Sequence, residues 1–391
     1  MRLSVRSTLD LPRRLIGLLL AAVCTCLTLP WQTADAQQLA LPPLAARAWL
    51  LLDVGANQLI ASQGARDRIE PASLTKLMTA YVVFAALRDR KITLDQVAPI
   101  STRAWKTGGS KMFVDPKKPV TVDELLHGMI IQSGNDAAVA LAELVSGSEE
   151  AFAVAMNAEG KRLSLTGSHF MNASGLPDPQ HYANAFDLGV IAAAIIRDFP
   201  ERYAIYSVKE YRYSNITQPN RNRLLWLDPN VDGLKTGHTE SAGYCLIASA
   251  KRTDRRMLAV VLNAPSDSVR TQETQILLNF GFQSFDTMRV KEKDKPLSVL
   301  AVWKGKSATV NAGVSHDILI AIPRGTDERI KAELSSQQPL LAPISRGQRV
   351  GTIAISYEGR AIGEYPVIAL EDVPVAGIFG RMWDTIRLWI K

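Results

Sequence analysis

Apolar residues recur along this chain in three different rhythms, and the places where the rhythm changes divide it. A continuous apolar run over residues 15–29 follows Arg2, Arg6, Arg13 and Arg14, and Ala34-Asp35-Ala36 comes next as a small-x-small string. A basic, then apolar, then small segment predicts an export signal over residues 1–36. The run falls short of the roughly 20 residues that a spanning helix needs. Residues 47–54 then read as a buried strand, 55–57 as a turn and 58–62 as the returning strand, a hairpin at the edge of a sheet. Within residues 75–88, Leu77, Tyr81, Phe84 and Leu87 fall at helical spacing. Further helices are predicted over 122–131, 137–145, 186–196 and 271–280, and strands over 243–249 and 256–263. Strands at both ends with helices between them predict a sheet covered by helices, an α/β (α+β) domain over residues 37–285.

After Phe285 the texture becomes short alternating runs (297–303, 308–310, 318–322, 349–355, 362–369) broken by Gly, Pro, Asp and Asn. That rhythm predicts a small all-β sandwich over residues 286–372. The last stretch, residues 373–391, changes again. Ile378, Phe379, Met382, Trp383, Ile386, Trp389 and Ile390 fall on one helical face, with Arg381, Asp384, Arg387 and Lys391 largely opposite. An amphipathic helix with two Trp and basic residues suits a bilayer interface, so a membrane-anchoring helix is expected there.

Composition narrows the class. A hydrophobic fraction of 47% with 21% charged residues is that of a folded chain, neither disordered nor multi-spanning. Of the three cysteines, Cys24 and Cys26 lie in the expected signal. Cys245 is then left in an apolar run as a small buried hydrophobe, so no internal disulfide is expected. The net charge of +7 is modestly basic and suits an anionic membrane surface or wall polymer. No nucleic-acid motif, P-loop or dinucleotide fingerprint occurs, and the five histidines show no metal-ligand spacing.

Three strings carry the candidate chemistry: Ser73-Leu74-Thr75-Lys76, Ser133-Gly134-Asn135 and Lys235-Thr236-Gly237. A Ser three residues before a Lys on a helix puts a hydroxyl and an amine on one face. An amine that is desolvated beside another cation has its pKa lowered and can act as a base. Ser133 can relay a proton, and Asn135 can orient Lys76 and bind a substrate amide. Lys235 adds positive potential, the Thr236 hydroxyl can grip a carboxylate, and Gly237 lets a substrate backbone approach. The N–H groups of Ser73 and His238 can form an oxyanion hole, worth about 3–4 kcal/mol per donor, whereas the His238 imidazole reads as structural. One Ser-x-x-Lys is expected by chance in a chain of this length; the three strings in fixed order are what point to acyl transfer.

With these strings, and with Gly175-Leu176-Pro177, His181-Tyr182-Ala183-Asn184-Ala185, Asn220-Arg221-Asn222-Arg223-Leu224-Leu225-Trp226 and Val231-Asp232-Gly233-Leu234 before the third motif, the chain resembles the low-molecular-mass penicillin-binding proteins, the serine-type D-alanyl-D-alanine carboxypeptidases. The resemblance implies a DD-peptidase/β-lactamase-like fold with an antiparallel sheet. It implies Ser73 as acylated nucleophile, Lys76 as base, and Ser133, Asn135 and Lys235 completing the proton and charge network. Thr236, Arg270 and Arg221 would hold the substrate carboxylate or its neighbours. The implied partners are peptidoglycan stem peptides and β-lactam antibiotics, with no metal or organic cofactor, on the periplasmic side of the cytoplasmic membrane. A homodimer is compatible with this reading. The alternatives are a β-lactamase, a D,D-endopeptidase or a non-catalytic wall-binding protein. No Glu-x-x-Leu-Asn string of the class A β-lactamases lies between Asn135 and Lys235, and the intact motifs weigh against a non-catalytic role.

Overall fold

The computed structural model describes residues 41–390; the export signal expected over 1–36, and Lys391, lie outside the described residues. Strands β1 (Ala48–Asp53) and β2 (Gln58–Gln63) form the expected hairpin. With β5 (Val231–Thr239), β6 (Gly243–Arg252) and β7 (Arg255–Ala264) they make a five-stranded antiparallel sheet in the order β2-β1-β7-β6-β5. The hairpin therefore forms one edge and the third motif, on β5, the other. Strands β1, β6 and β7 read as unbroken apolar runs because both faces of the sheet are covered. Leu50, Ile247 and Val260 point into the helical side, while Leu51, Leu246 and Val261 point to the opposite face.

The helical side is built around α1 (Lys76–Arg88), apolar on every side and buried from Lys76 through Ala86. Around it lie α2 (Thr102–Lys106), α3 (Val122–Ile131), α4 (Asn135–Ser146), α5 (Glu149–Arg162) and α6 (Ala185–Asp198). Helix α3 opens with a capping box, Thr121 and Glu124 each accepting from the other's backbone N–H, and runs out at Gln132 just before Ser133. A small hairpin, β3 (Glu210–Tyr213) and β4 (Ile216–Pro219), stands beside α3. The far face of the sheet is closed by α7 (Asp267–Ser284), longer at both ends than its sequence pattern indicates.

Helix α7 runs straight into β8 (Phe285–Lys291), which pairs with β11 (Ile318–Pro323). The remaining strands are β9 (Ser298–Trp303), β10 (Thr309–Gly313), β12 (Ile330–Ser336), β13 (Leu340–Leu341), β14 (Arg349–Tyr357) and β15 (Arg360–Ala369). They form a second sheet in the order β12-β14-β15-β10-β9-β13, and the two sheets enclose one core of Val310, Ile320, Val350 and Val367. Strand β12 alternates Ile330, Ala332 and Leu334 with Lys331, Glu333 and Ser335, yet Lys331 to Ser335 are all exposed; it is held by its ladder to β14 and by Ile330 packed on the core. The two regions meet where the Gln58 amide bonds both backbone groups of Ala321 (2.8 and 3.0 Å) and the buried Asp53 accepts from the Thr287 hydroxyl. Helix α8 (Ile378–Ile390) is fastened by Asp384, which accepts from the Lys304 N–H at 2.6 Å. Ile378, Met382 and Trp383 are 60–70% exposed; the side chains of Phe379 and residues 386–390 lie outside the described residues.

Candidate active site

Ser73 does not lie in an α-helix. It lies in a 3₁₀ turn, Ala72–Thr75, and α1 starts only at Lys76. Ala72 takes a positive φ of 45°, which tightens the chain ahead of the serine. The turn rests on β5 at Gly237, where an added Cβ would come within 3.0 Å of the Pro71 carbonyl and 3.2 Å of Leu74. Gly237 thus makes room for the chain's own nucleophile turn, in addition to the substrate backbone the sequence reading assigns it.

Lys76 is 1% exposed. Its Nζ lies 2.7 Å from Asn135 Oδ1, 2.6 Å from the Ser174 carbonyl and 3.0 Å from Ser73 Oγ. Burial, then the Arg221 charge, pulls its pKa from 10.5 down to about 7, against a smaller opposing pull from Asp136. An amide oxygen and a carbonyl oxygen can only accept. A neutral amine has two N–H bonds and one lone pair, so both hydrogens go to Asn135 and Ser174 and the lone pair is left facing the Ser73 hydroxyl. The geometry is that of an amine ready to take the serine proton.

The second amine sits on β5. Lys235 Nζ donates to Ser133 Oγ (2.8 Å) and to the Thr236 carbonyl (3.1 Å). Burial, and then the charges of Lys76, Arg221 and Arg270, hold its pKa well below the usual lysine value. Ser133 is buried with a φ of 63°, a sparsely populated conformation for a non-glycine residue. Folding therefore draws these groups into two hydrogen-bonded sets, Ser73–Lys76–Asn135 and Ser133–Lys235, close enough that the Lys76 charge acts on Lys235, although up to 162 positions separate them.

Several residues that the sequence reading does not place among the site candidates hold these groups in position. Asp136, fully buried, accepts from the N–H groups of Met112 (2.9 Å), Phe113 (2.8 Å), Val114 (3.1 Å) and Ala137 (2.9 Å). It pins residues 112–114 over the start of α4, while Asn135 Nδ2 donates to the Gly108 carbonyl at 2.8 Å. On the other side, Asn172 Oδ1 accepts from the N–H groups of Ser174, Gly175 and Leu176 and so aims the Ser174 carbonyl at Lys76. Gly175 has φ 82°, and a Cβ there would fall 1.8 Å from the Ala72 carbonyl. The His181 Nδ1 accepts from Met171 N–H, so its Nε2–H donates to the Thr75 hydroxyl at 2.8 Å. Burial holds this ring neutral, with a pKa of about 4. A cavity of about 470 Å³ opens beside Ser174, walled by Arg103, Gly108, Asn172 and Leu176.

With this geometry in view, the comparisons with known proteins agree with one another. A family model described as D-alanyl-D-alanine carboxypeptidase (peptidase S11) matches residues 33–266, and one described as penicillin-binding protein 5, C-terminal domain, matches residues 285–375. The D-alanyl-D-alanine carboxypeptidase DacC of Escherichia coli is 41% identical over 380 residues, 95% of each chain. This chain belongs to the peptidase S11 family. Within that family, DacA of Haemophilus influenzae is 39% identical over 356 residues, 90% of this chain and 91% of that protein. The crystal structure of penicillin-binding protein 5 from the same organism superposes with a TM-score of 0.81, covering 85% of this chain and 98% of that one.

The remaining candidate residues of this S11 chain divide by exposure. Thr236 is buried beside Lys235, and His238 is exposed, its ring stacked on Tyr244 at 4.1 Å with Nδ1 3.0 Å from the Gly243 carbonyl. Arg270 is buried behind β5, donating to the carbonyls of Gly237 (3.2 Å) and Cys245 (3.3 Å) and pairing with Asp267. Arg221 is exposed and forms no ion pair among the described residues. Of the supporting groups, Asp136 directly follows the second motif, but its neighbours suggest only a helix cap. Its real partners, 22–24 residues earlier, leave no local signal.

Asp136→Ala strips an acceptor from four amides and is expected to cost about 3 kcal/mol or more. It should lower the melting temperature by several degrees and slow acylation of Ser73 in the same protein. Calorimetry that finds the variant melting with the parent would dismiss the pinning role.

Proposed function

We propose that this chain is a serine D-alanyl-D-alanine carboxypeptidase that trims the terminal D-Ala from peptidoglycan stem peptides. The observation that carries the reading is the buried Lys76 amine, its lone pair facing Ser73 Oγ at 3.0 Å. Ser73 attacks the carbonyl carbon of the penultimate D-Ala while its proton passes to Lys76 Nζ. The Ser73 and His238 N–H groups hold the developing oxyanion. As the C–N bond breaks, a proton reaches the leaving amine by way of Ser133, and D-Ala departs. Water then opens the ester, and Ser73 recovers its proton. Lys235, Arg221 and, from behind β5, Arg270 set a positive field for the substrate carboxylate, to which the Thr236 hydroxyl donates. An anion beside Lys235 favours its charged form, against the burial and neighbouring cations that disfavour it. β-Lactams acylate the same serine.

Residues 1–36 export the chain to the periplasmic side of the membrane, where α8 holds it at the surface. Exposed Ile378, Met382 and Trp383 support that role, and among the described residues no helix is long and apolar enough to cross a membrane. Peptidoglycan is the partner, and a homodimer stays open.

Incubation with benzylpenicillin should add one drug mass to the intact protein and none to Ser73→Ala, and the same substitution should abolish D-Ala release from a pentapeptide. Label taken up by Ser73→Ala would sink the assignment. The acylation rate should climb about tenfold per pH unit as Lys76 deprotonates, then level off above about pH 7. A flat profile across roughly pH 5 to 8 excludes Lys76 as the base. A chain ending at Gly377 should keep D-Ala release yet lose at least about tenfold in binding to phosphatidylglycerol vesicles. Equal vesicle binding by the truncated chain assigns the anchor elsewhere.

A further inference from the structure

A second groove, of about 610 Å³, runs along the opposite side of α2 from the cavity beside Ser174, and nothing in the acyl-transfer chemistry uses it. Its walls combine two kinds of group seldom left together on a surface. Trp105 and Phe113 present large aromatic rings that are 48% and 49% exposed. Lys111, Lys117 and Lys118 surround them, and none of the three forms an ion pair among the described residues. Lys111 Nζ donates to the Trp105 carbonyl at 2.9 Å, which sets it beside that ring, and Lys118 Nζ reaches the Ser214 hydroxyl only at 3.4 Å. The opposing carboxylates are the partly exposed Asp115 and Asp136, whose oxygens are turned inward to backbone amides.

Phe113 is the most telling of these residues. It has φ 71°, a conformation that a bulky side chain adopts only under constraint. The constraint is Asp136, whose carboxylate takes the N–H groups of 112, 113 and 114 together. Strain of this kind persists where the surroundings over-determine it, and it concentrates at ligand clamps. Here the result is an aromatic ring turned out to solvent, three residues from Ser110 and five from Gly108, whose carbonyls accept from the Asn135 N–H and Nδ2.

We propose that this groove is a binding site for the glycan part of the peptidoglycan substrate, with its acidic stem, held while the stem's D-Ala end occupies the catalytic cleft. The proposal rests on the carboxypeptidase reading and extends it from the scissile peptide to the polymer that carries it. The face of an aromatic ring is electron-rich and takes the C–H face of a pyranose, whereas a planar peptide needs no such pair of rings. The unpaired lysines meet the carboxylates of the stem, a charge match that salt weakens. A groove beside the cleft that recognises sugar also gives the enzyme a reason to act on wall polymer in preference to free peptide.

The test is co-sedimentation of the full chain with purified peptidoglycan sacculi. Trp105→Ala should weaken binding about fivefold and Trp105→Phe should restore most of it. Lys117→Glu/Lys118→Glu should weaken binding by a similar factor and flatten its dependence on salt. Unchanged sedimentation by both variants, or a Trp105→Phe protein as weak as Trp105→Ala, overturns the proposal. So does a loss confined to phosphatidylglycerol vesicles, which would mark the groove as a membrane contact. The parent's release of D-Ala from a sugar-free pentapeptide is measured alongside. Its absence would remove the carboxypeptidase reading, whereas the sacculus arm reports on the groove without any turnover.

Discussion

The desolvation of one amine governs everything else at this site. In water a lysine is charged at neutral pH and has no lone pair to offer a serine. Lys76 is enclosed at the start of α1, with an amide oxygen and a carbonyl oxygen as its fixed acceptors and other cations nearby. An enclosed charge is costly unless an anion pairs with it, and no carboxylate bonds this amine. The proton is therefore held loosely, and the orientation of the two acceptors decides where the lone pair points.

That arrangement explains why so many strained or crowded positions meet here. Ala72 and Ser133 both have positive φ, and non-glycine residues so placed cost about 1–3 kcal/mol each. Gly175 and Gly237 tolerate backbone contacts that no side chain would allow. Asp136 and Asn172 each gather three or more N–H groups, converting two flexible loops into fixed walls. The sheet and α1 supply the rigidity against which this strain is maintained. The same carboxylate that steadies Asn135's neighbourhood turns Phe113 outward, so catalytic order and the shape of the adjoining groove have one cause.

The all-β region contributes by position. It continues the chain directly from α7, is clamped to β1 and β2 through Asp53 and Gln58, and carries α8 with its exposed apolar residues. The two cores are thereby joined by side-chain hydrogen bonds at the edge of the first sheet. No group of the β region takes part in the hydrogen bonds that join Ser73, Lys76 and Asn135 or Ser133 and Lys235.

The sequence alone determined the parts whose cause is local. Apolar runs and spacing placed β1, β2, α1 and α3, because local sequence sets how each is buried, and the ordered Ser-x-x-Lys, Ser-Gly-Asn and Lys-Thr-Gly strings named groups that the fold brings close together. Tertiary structure decided what depends on distant partners: the 3₁₀ turn at Ser73, packed on Gly237 of β5; the second acceptor of Lys76, a backbone carbonyl without side-chain identity; and the role of Asp136. It also decided β12, which its ladder to β14 holds with only Ile330 packed on the core. A pKa of about 7 for Lys76 belongs to the same group, since burial is a property of the assembled fold and no stretch of residues carries it.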